Sequence, residues 1–142
     1  GMKAHAGVDA DSGVVHTVTN SSANEHDKTK MDDLLHGEEK AVFGDKGYYD
    51  EKKKREARKA GIFWGVLDKG KRGSILSSSQ EKRNLKLSSI RAKVEHPFRV
   101  LKCQWKFTKV RYKGLYKNAC QIFTLFMLAN IYMLRKKLIL VA

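Results

Sequence analysis

Acidic residues are scarce in this chain. Asp and Glu number 15 against 29 Lys and Arg, which leaves a formal charge of +14. Such an imbalance points to a polyanionic partner, although a generic basic protein would share it. Cysteine is nearly absent: Cys103 and Cys120 stand far apart and neither belongs to a CxxC pair. That excludes a disulfide framework and a cysteine-based zinc site, and it fits a reducing cytoplasm. The five histidines, His5, His16, His26, His36 and His96, have no cysteine neighbours that would suggest zinc. Proline occurs once, and 42% of the residues are hydrophobic, so a disordered chain is excluded. Long apolar runs are missing too. Ile122 to Leu134 is strongly apolar but short, and Gln121 and Asn130 interrupt the wider segment. A membrane span wants roughly 20 apolar residues, so a buried helix and no membrane are expected. Gly1 to Val8 lacks the basic head and long apolar run of a signal peptide.

What is present reads as one ordinary domain over residues 1–142, long enough to bury a core. Lys3 to Val8 and Val14 to Thr19 predict two strands. Between them, Asp9-Ala-Asp-Ser-Gly13 has the chemistry of a hairpin turn. Asn24 to Leu35 reads as a short helix that Ser22 or Asn24 could cap. Ala41 to Asp45 is a brief apolar run ending in a carboxylate, as a buried strand would be. Asp50 to Ala60 is a lysine-rich helix, and Ile62 to Leu67 a further strand. Residues 70–79 form a flexible basic loop. Leu87, Ile90, Val94, Phe98, Leu101 and Trp105 step by three or four, the spacing of a core-facing helical stripe. Pro97 should break or kink that helix at His96. Residues 117–136 predict a final helix, apolar on nearly all sides and therefore buried. The order of elements argues an α/β fold with a central sheet.

Two acids stand out by position. Asp45 ends a buried strand, where ligand-binding residues of α/β sheets gather, and Gly47 lets the backbone turn. It could equally cap that turn. Glu95 lies on a second stripe, Ser88, Arg91, Glu95, Arg99 and Lys102, one residue round from the apolar one. A solvated face with an Arg91–Glu95 pair would give the same spacing.

At these residues the sequence resembles a known family. Gly44-Asp-Lys-Gly-Tyr48 and Ile90-Arg-Ala-Lys-Val-Glu-His-Pro-Phe98 are similar to bacterial insertion-sequence transposases that carry the DDE triad of carboxylates. That group has a signature of tyrosine, two residues, arginine, three, glutamate, six, lysine. Arg91, Glu95 and Lys102 fall in register with it, while Ser88 takes the tyrosine position. Lys3 to Asp9, Ala23 to Asp27, Leu34 to Glu38 and Lys109 to Leu115 also look similar, so the resemblance runs nearly end to end. It implies a ribonuclease H-like mixed sheet flanked by helices. It also implies cleavage and strand transfer of double-stranded transposon-end DNA with Mg²⁺ or Mn²⁺. Asp45 and Glu95 would be catalytic metal ligands, and Arg91, Arg99 and Lys102 phosphate contacts. Transposases of this kind commonly work as homodimers, though no interface is legible in the sequence.

The resemblance places the family's first aspartate on a strand that precedes the hairpin. Asp9 and Asp11 lie in the turn between the hairpin strands, so neither fills that position. The chain is therefore expected to lack its first strand and first acid, and not to cut DNA alone. The competing readings are a non-catalytic, basic DNA-binding remnant and a membrane-associated basic protein. The basic segments Lys52 to Lys59, Lys69 to Arg72 and Lys106 to Lys117 predict salt-sensitive DNA binding. Trp105, Phe107, Tyr112 and Tyr116, interleaved with the last of these, are either base-stacking or core residues.

Overall fold

The computed structural model describes residues 1–70 and 73–141. Lys71 and Arg72, inside the predicted loop 70–79, lie outside the described residues, as does Ala142. The elements run β1 (Met2–Val8), β2 (Val15–Ser22), α1 (Met31–Leu34), β3 (Ala41–Gly44), α2 (Glu51–Lys59), β4 (Phe63–Val66), α3 (Ser78–Arg99) and α4 (Leu115–Val141). This is a mixed α/β chain. Among the described residues the strands do not form the expected single sheet. β1 and β2 make an antiparallel pair, and β3 and β4 a parallel pair. A larger sheet needs strands hydrogen-bonded along both edges, and each of these four pairs along one only.

The chain divides into two compact units. Gly1–Glu25 and Lys93–Ala142 form a hairpin unit, and His26–Ala92 a strand–helix unit. In the hairpin unit, the β1–β2 turn is closed as its sequence predicts. Asp9 N–H donates to Val14 O at 2.9 Å and Gly13 N–H to Asp9 O at 2.8 Å. Gly13 takes a φ of 74°, a conformation costly for a side-chain-bearing residue. The Ser12 N–H and hydroxyl both donate to Asp9 Oδ2, and the hydroxyl bond above all holds the Asp9 carboxyl below its usual range. Met2, Ala4, Ala6 and Val8 alternate along β1 and pack on a core of Val15, Val100, Leu101, Ile122, Phe126 and Ala129. Asn130 of α4 holds the start of β2, accepting from Val15 N at 2.9 Å and donating to Val15 O at 2.7 Å.

Two expectations fail in this unit. α4 is present but is not buried all round. Ile122, Phe126 and Ala129 are buried, whereas Phe123, Met127 and Ile131 are 59%, 52% and 53% exposed. The hairpin has one apolar face, and a helix laid on one face buries one stripe. Of the break or kink expected at Pro97, the break does not occur: α3 continues to Arg99. The proline ring is fully buried, and that packing offsets the one hydrogen bond proline cannot make. The irregularity comes later, as a wide turn over Val100–Gln104 closed by Trp105 N to Val100 O at 3.0 Å.

In the strand–helix unit, β3 and β4 run in register from Ala41 beside Phe63 to Gly44 beside Val66, with α2 between them in sequence. Asp50 caps α2, accepting from Lys52 N at 2.9 Å and Lys53 N at 3.3 Å. Met31, Val42, Ala57, Trp64 and Val66 form the core. The helix predicted over residues 24–35 shrinks to a tight turn over Asp27–Lys30 and the single turn of α1. Neither Ser22 nor Asn24 caps it. The Ser22 N–H and hydroxyl bond to Glu25 and Asn24 instead, and such local side-chain bonds compete with helix initiation. The segment predicted as loop 70–79 gives way to α3 at Ser78.

Candidate functional site

Both strands of the parallel pair lead into an aspartate, and the two aspartates differ sharply. Asp68 follows β4 at once after Leu67, and its side chain is 4% exposed. Arg83 Nη1 donates to its carboxylate at 2.9 Å and Lys54 Nζ at 3.2 Å. Arg83 also donates to Val66 O at 3.2 Å and to Trp64 O. Asn84 takes the Asp68 backbone from both sides, at 2.9 Å and 3.2 Å. The N–H, carbonyl and both carboxylate oxygens of Asp68 thus each have a partner, and these bonds join β4, α2 and the start of α3. Its chemistry is structural. The sequence reading missed this network, although an acid directly after an apolar strand is the signal that singled out Asp45.

Asp45 follows β3 and its side chain is 57% exposed. It precedes a tight turn over Lys46–Tyr48, and its Oδ1 accepts from Lys46 N at 2.7 Å. The turn-capping role considered from sequence is therefore real. It coexists with an open carboxylate. Arg91 Nη1 lies 3.3 Å from the same oxygen, so α3 presents a guanidinium to this acid. That pair joins the two sequence motifs, Asp45 from one and Arg91 from the other, within one unit. Exposed pairs of this kind contribute ~0–1 kcal/mol, so a competing cation would displace the arginine at little cost.

The turn after Asp45 is tightly supported. Tyr48 N donates to Asp45 O at 3.0 Å. Burial first, with the Asp27 and Asp45 carboxylates behind it, pushes the Tyr48 phenol up to about 12. Tyr49 donates to Glu51 at 2.5 Å, and that bond first, with burial second, pushes its phenol up to about 12 as well.

The remaining predicted residues fall on the later part of the same helical run. Glu95 is exposed on α3, one turn beyond Arg91, and belongs to the hairpin unit. Arg99 ends α3, and Lys102 lies in the wide turn after it; both are exposed. Ser88, in place of the expected tyrosine, turns its hydroxyl back on Leu85 O at 2.6 Å. Of the interleaved aromatics, Trp105 and Phe107 pack against the hairpin-unit core, whereas Tyr112 and Tyr116 are exposed. Among the described residues, no group of three or more His, Cys, Asp or Glu is placed to hold a metal ion. Among them, too, no helix is long and apolar enough to cross a membrane.

Comparison with known families assigns the chain. The family model described as transposase DDE domain matches residues 1–131, and the chain belongs to that family. DNA is in general the substrate of such domains. No solved structure matches the chain.

Proposed function

We propose that this chain is part of the catalytic core of a transposase that cuts and joins transposon-end DNA with Mg²⁺ or Mn²⁺. On this reading the fold is the larger part of a ribonuclease H-like domain. The antiparallel hairpin and the parallel pair with its connecting helix support that reading. Asp45 and Glu95 are two of three metal-binding acids. The observation that carries the proposal is Asp45 itself: an open carboxylate at the end of a parallel strand, already accepting a cationic group from Arg91.

The residue types, though not any assembled group among the described residues, suit the ions proposed. Two exposed carboxylates, without thiol or imidazole, suit a hard cation that completes its shell with water and phosphate oxygens. When bound, the ions supply a nucleophilic water or 3′-hydroxyl near neutral pH and stabilise the leaving oxygen. The chain's own residues do the rest. Asp45 is held in orientation by the Lys46 N–H. Arg91, released from Asp45, neutralises a DNA phosphate together with Arg99 and Lys102. The exposed Tyr112 and Tyr116 are available to stack on unpaired bases. We place this activity in the cytoplasm and in a homodimer on paired transposon ends.

The third acid is not among these residues on this reading, so the isolated chain binds DNA without cutting it. Incubation with labelled transposon-end duplex and Mg²⁺ or Mn²⁺ should leave the DNA intact. Nicking that disappears in Asp45→Ala would show that the first acid is present here after all. The alternative, a purely DNA-binding remnant, is favoured by the excess of Lys and Arg, 29 against 15 acids. It predicts salt-sensitive DNA binding with no divalent-ion affinity that depends on Asp45 or Glu95.

A further inference from the structure

The turn that carries Asp45 rests on a second carboxylate, that of Asp27. A Cβ built on Gly47 would lie 2.6 Å from Asp27 Oδ2 and 3.4 Å from both Cβ and Cγ of Asp27. No side chain fits there unless Asp27 moves, so the glycine is what lets the two segments close on one another. Asp27 is itself half-buried. It opens the tight turn Asp27–Lys30, which Thr29 closes by donating from its N–H and its hydroxyl to His26 O, at 3.0 Å and 2.7 Å. Met31, directly after that turn, is buried in the core of the unit. Asp27 and Asp45 also both lie within electrostatic reach of the Tyr48 phenol, so two negative charges flank one turn.

We infer that Asp27 is a positioning residue for Asp45: its carboxylate, lodged against Gly47, fixes the Asp45–Tyr48 turn and adds negative potential where the cation binds. The inference rests on the proposed metal role of Asp45. It assigns Asp27 no direct ligand bond. It gives Gly47 a definite task, since any side chain at that position would evict the Asp27 carboxylate without removing it.

The test is Mn²⁺ affinity of the full chain, read by electron paramagnetic resonance, beside thermal unfolding of each variant. Asp27→Asn keeps the shape and removes the charge. It should weaken Mn²⁺ binding about tenfold, the scale of supporting residues around metal ligands, with the unfolding midpoint nearly unchanged. Gly47→Ala should weaken binding comparably, and Asp27→Asn with Gly47→Ala should weaken it no further than either change alone. Unchanged Mn²⁺ affinity in Asp27→Asn overturns the inference, whether or not the unfolding midpoint falls, provided that Asp45→Asn abolishes binding. If Asp45→Asn leaves Mn²⁺ binding unaltered, or the native chain binds none, the metal role of Asp45 fails and takes this inference with it. Should Gly47→Ala fail to fold, Asp27→Asn alone decides.

Discussion

The strand–helix unit and the hairpin unit are stabilised by different means. The strand–helix unit has a small core and spends much of its polar chemistry on itself, with Asp68, Arg83, Lys54 and Asn84 in one closed network. The hairpin unit has the larger apolar cluster and leaves one stripe of α4 exposed. Its polar fixings are single side chains rather than a charged network, as with Asn130 on Val15. Asn118 ties the chain before α4 by donating to Tyr112 O and Gly114 O at 2.6 Å and 2.8 Å. The buried pair His5–Ser21 at 2.9 Å spans the two strands. The two units should therefore be sensitive to different changes. Apolar truncation should damage the hairpin unit, and charge deletion the strand–helix unit.

The largest expected effect is in the hairpin unit. Phe126 is buried and meets Phe98 edge to face at 5.1 Å. Phe126→Ala should lower stability by about 3–5 kcal/mol, whereas Phe123→Ala, on the exposed stripe, should stay within about 0.5 kcal/mol. Urea unfolding of the two variants measures the contrast. Equal losses would show that the outer stripe of α4 is covered in solution.

The next effect contrasts the two strand-end acids. Asp68→Ala leaves Arg83 and Lys54 facing a site without its carboxylate. Both cations keep partial access to water, with side chains 32% and 36% exposed. The loss should therefore be about 2–3 kcal/mol, below the full cost of stranding a buried charge. Asp45→Ala should cost under about 1 kcal/mol. A reversal of that order would mean that Asp45 is the structural acid.

The smallest effect is a pH dependence confined to the strand–helix unit. A phenol held near 12 in the folded state, against about 10 when unfolded, favours the folded chain only while it is neutral. Its contribution is fully present below about pH 10 and is lost as pH rises toward 12. Tyr48→Phe should flatten this alkaline decline. Tyr49, raised through its bond to Glu51, should keep part of it. Denaturant midpoints across the alkaline range would reveal a slope unchanged in Tyr48→Phe, and that outcome would remove Tyr48 as its source.

Legibility in the sequence followed the range of the interactions involved. The Asp9 to Gly13 turn depends on neighbours within a few residues and is readable; so is the lysine-rich helix from Asp50, though not the cap that Asp50 makes. The apolar strand ends that point to Asp45 are readable too. The Arg91, Glu95 and Lys102 spacing was readable only through its likeness to a family. What could not be read depends on distant partners. The outer face of α4 is apolar like its inner face, and the single apolar face of the hairpin decides which is buried. Pro97 carries a helix-breaking signal that burial of its ring overrides. The Asp68 network draws on Lys54, Arg83 and Asn84, which no local spacing connects. Asp27 stands out in the sequence only as part of a stretch similar to the family, because its approach to Gly47 exists only once the chain has folded.

On the proposed function Asp45, unlike Asp68, is an acid kept open for a cation. A titration of the full chain with Mn²⁺ under electron paramagnetic resonance, beside its Asp45→Asn variant, tests it most directly. Binding is expected in the native chain and its loss in Asp45→Asn, while circular dichroism shows the fold intact. Equal Mn²⁺ affinity in the two proteins would contradict it.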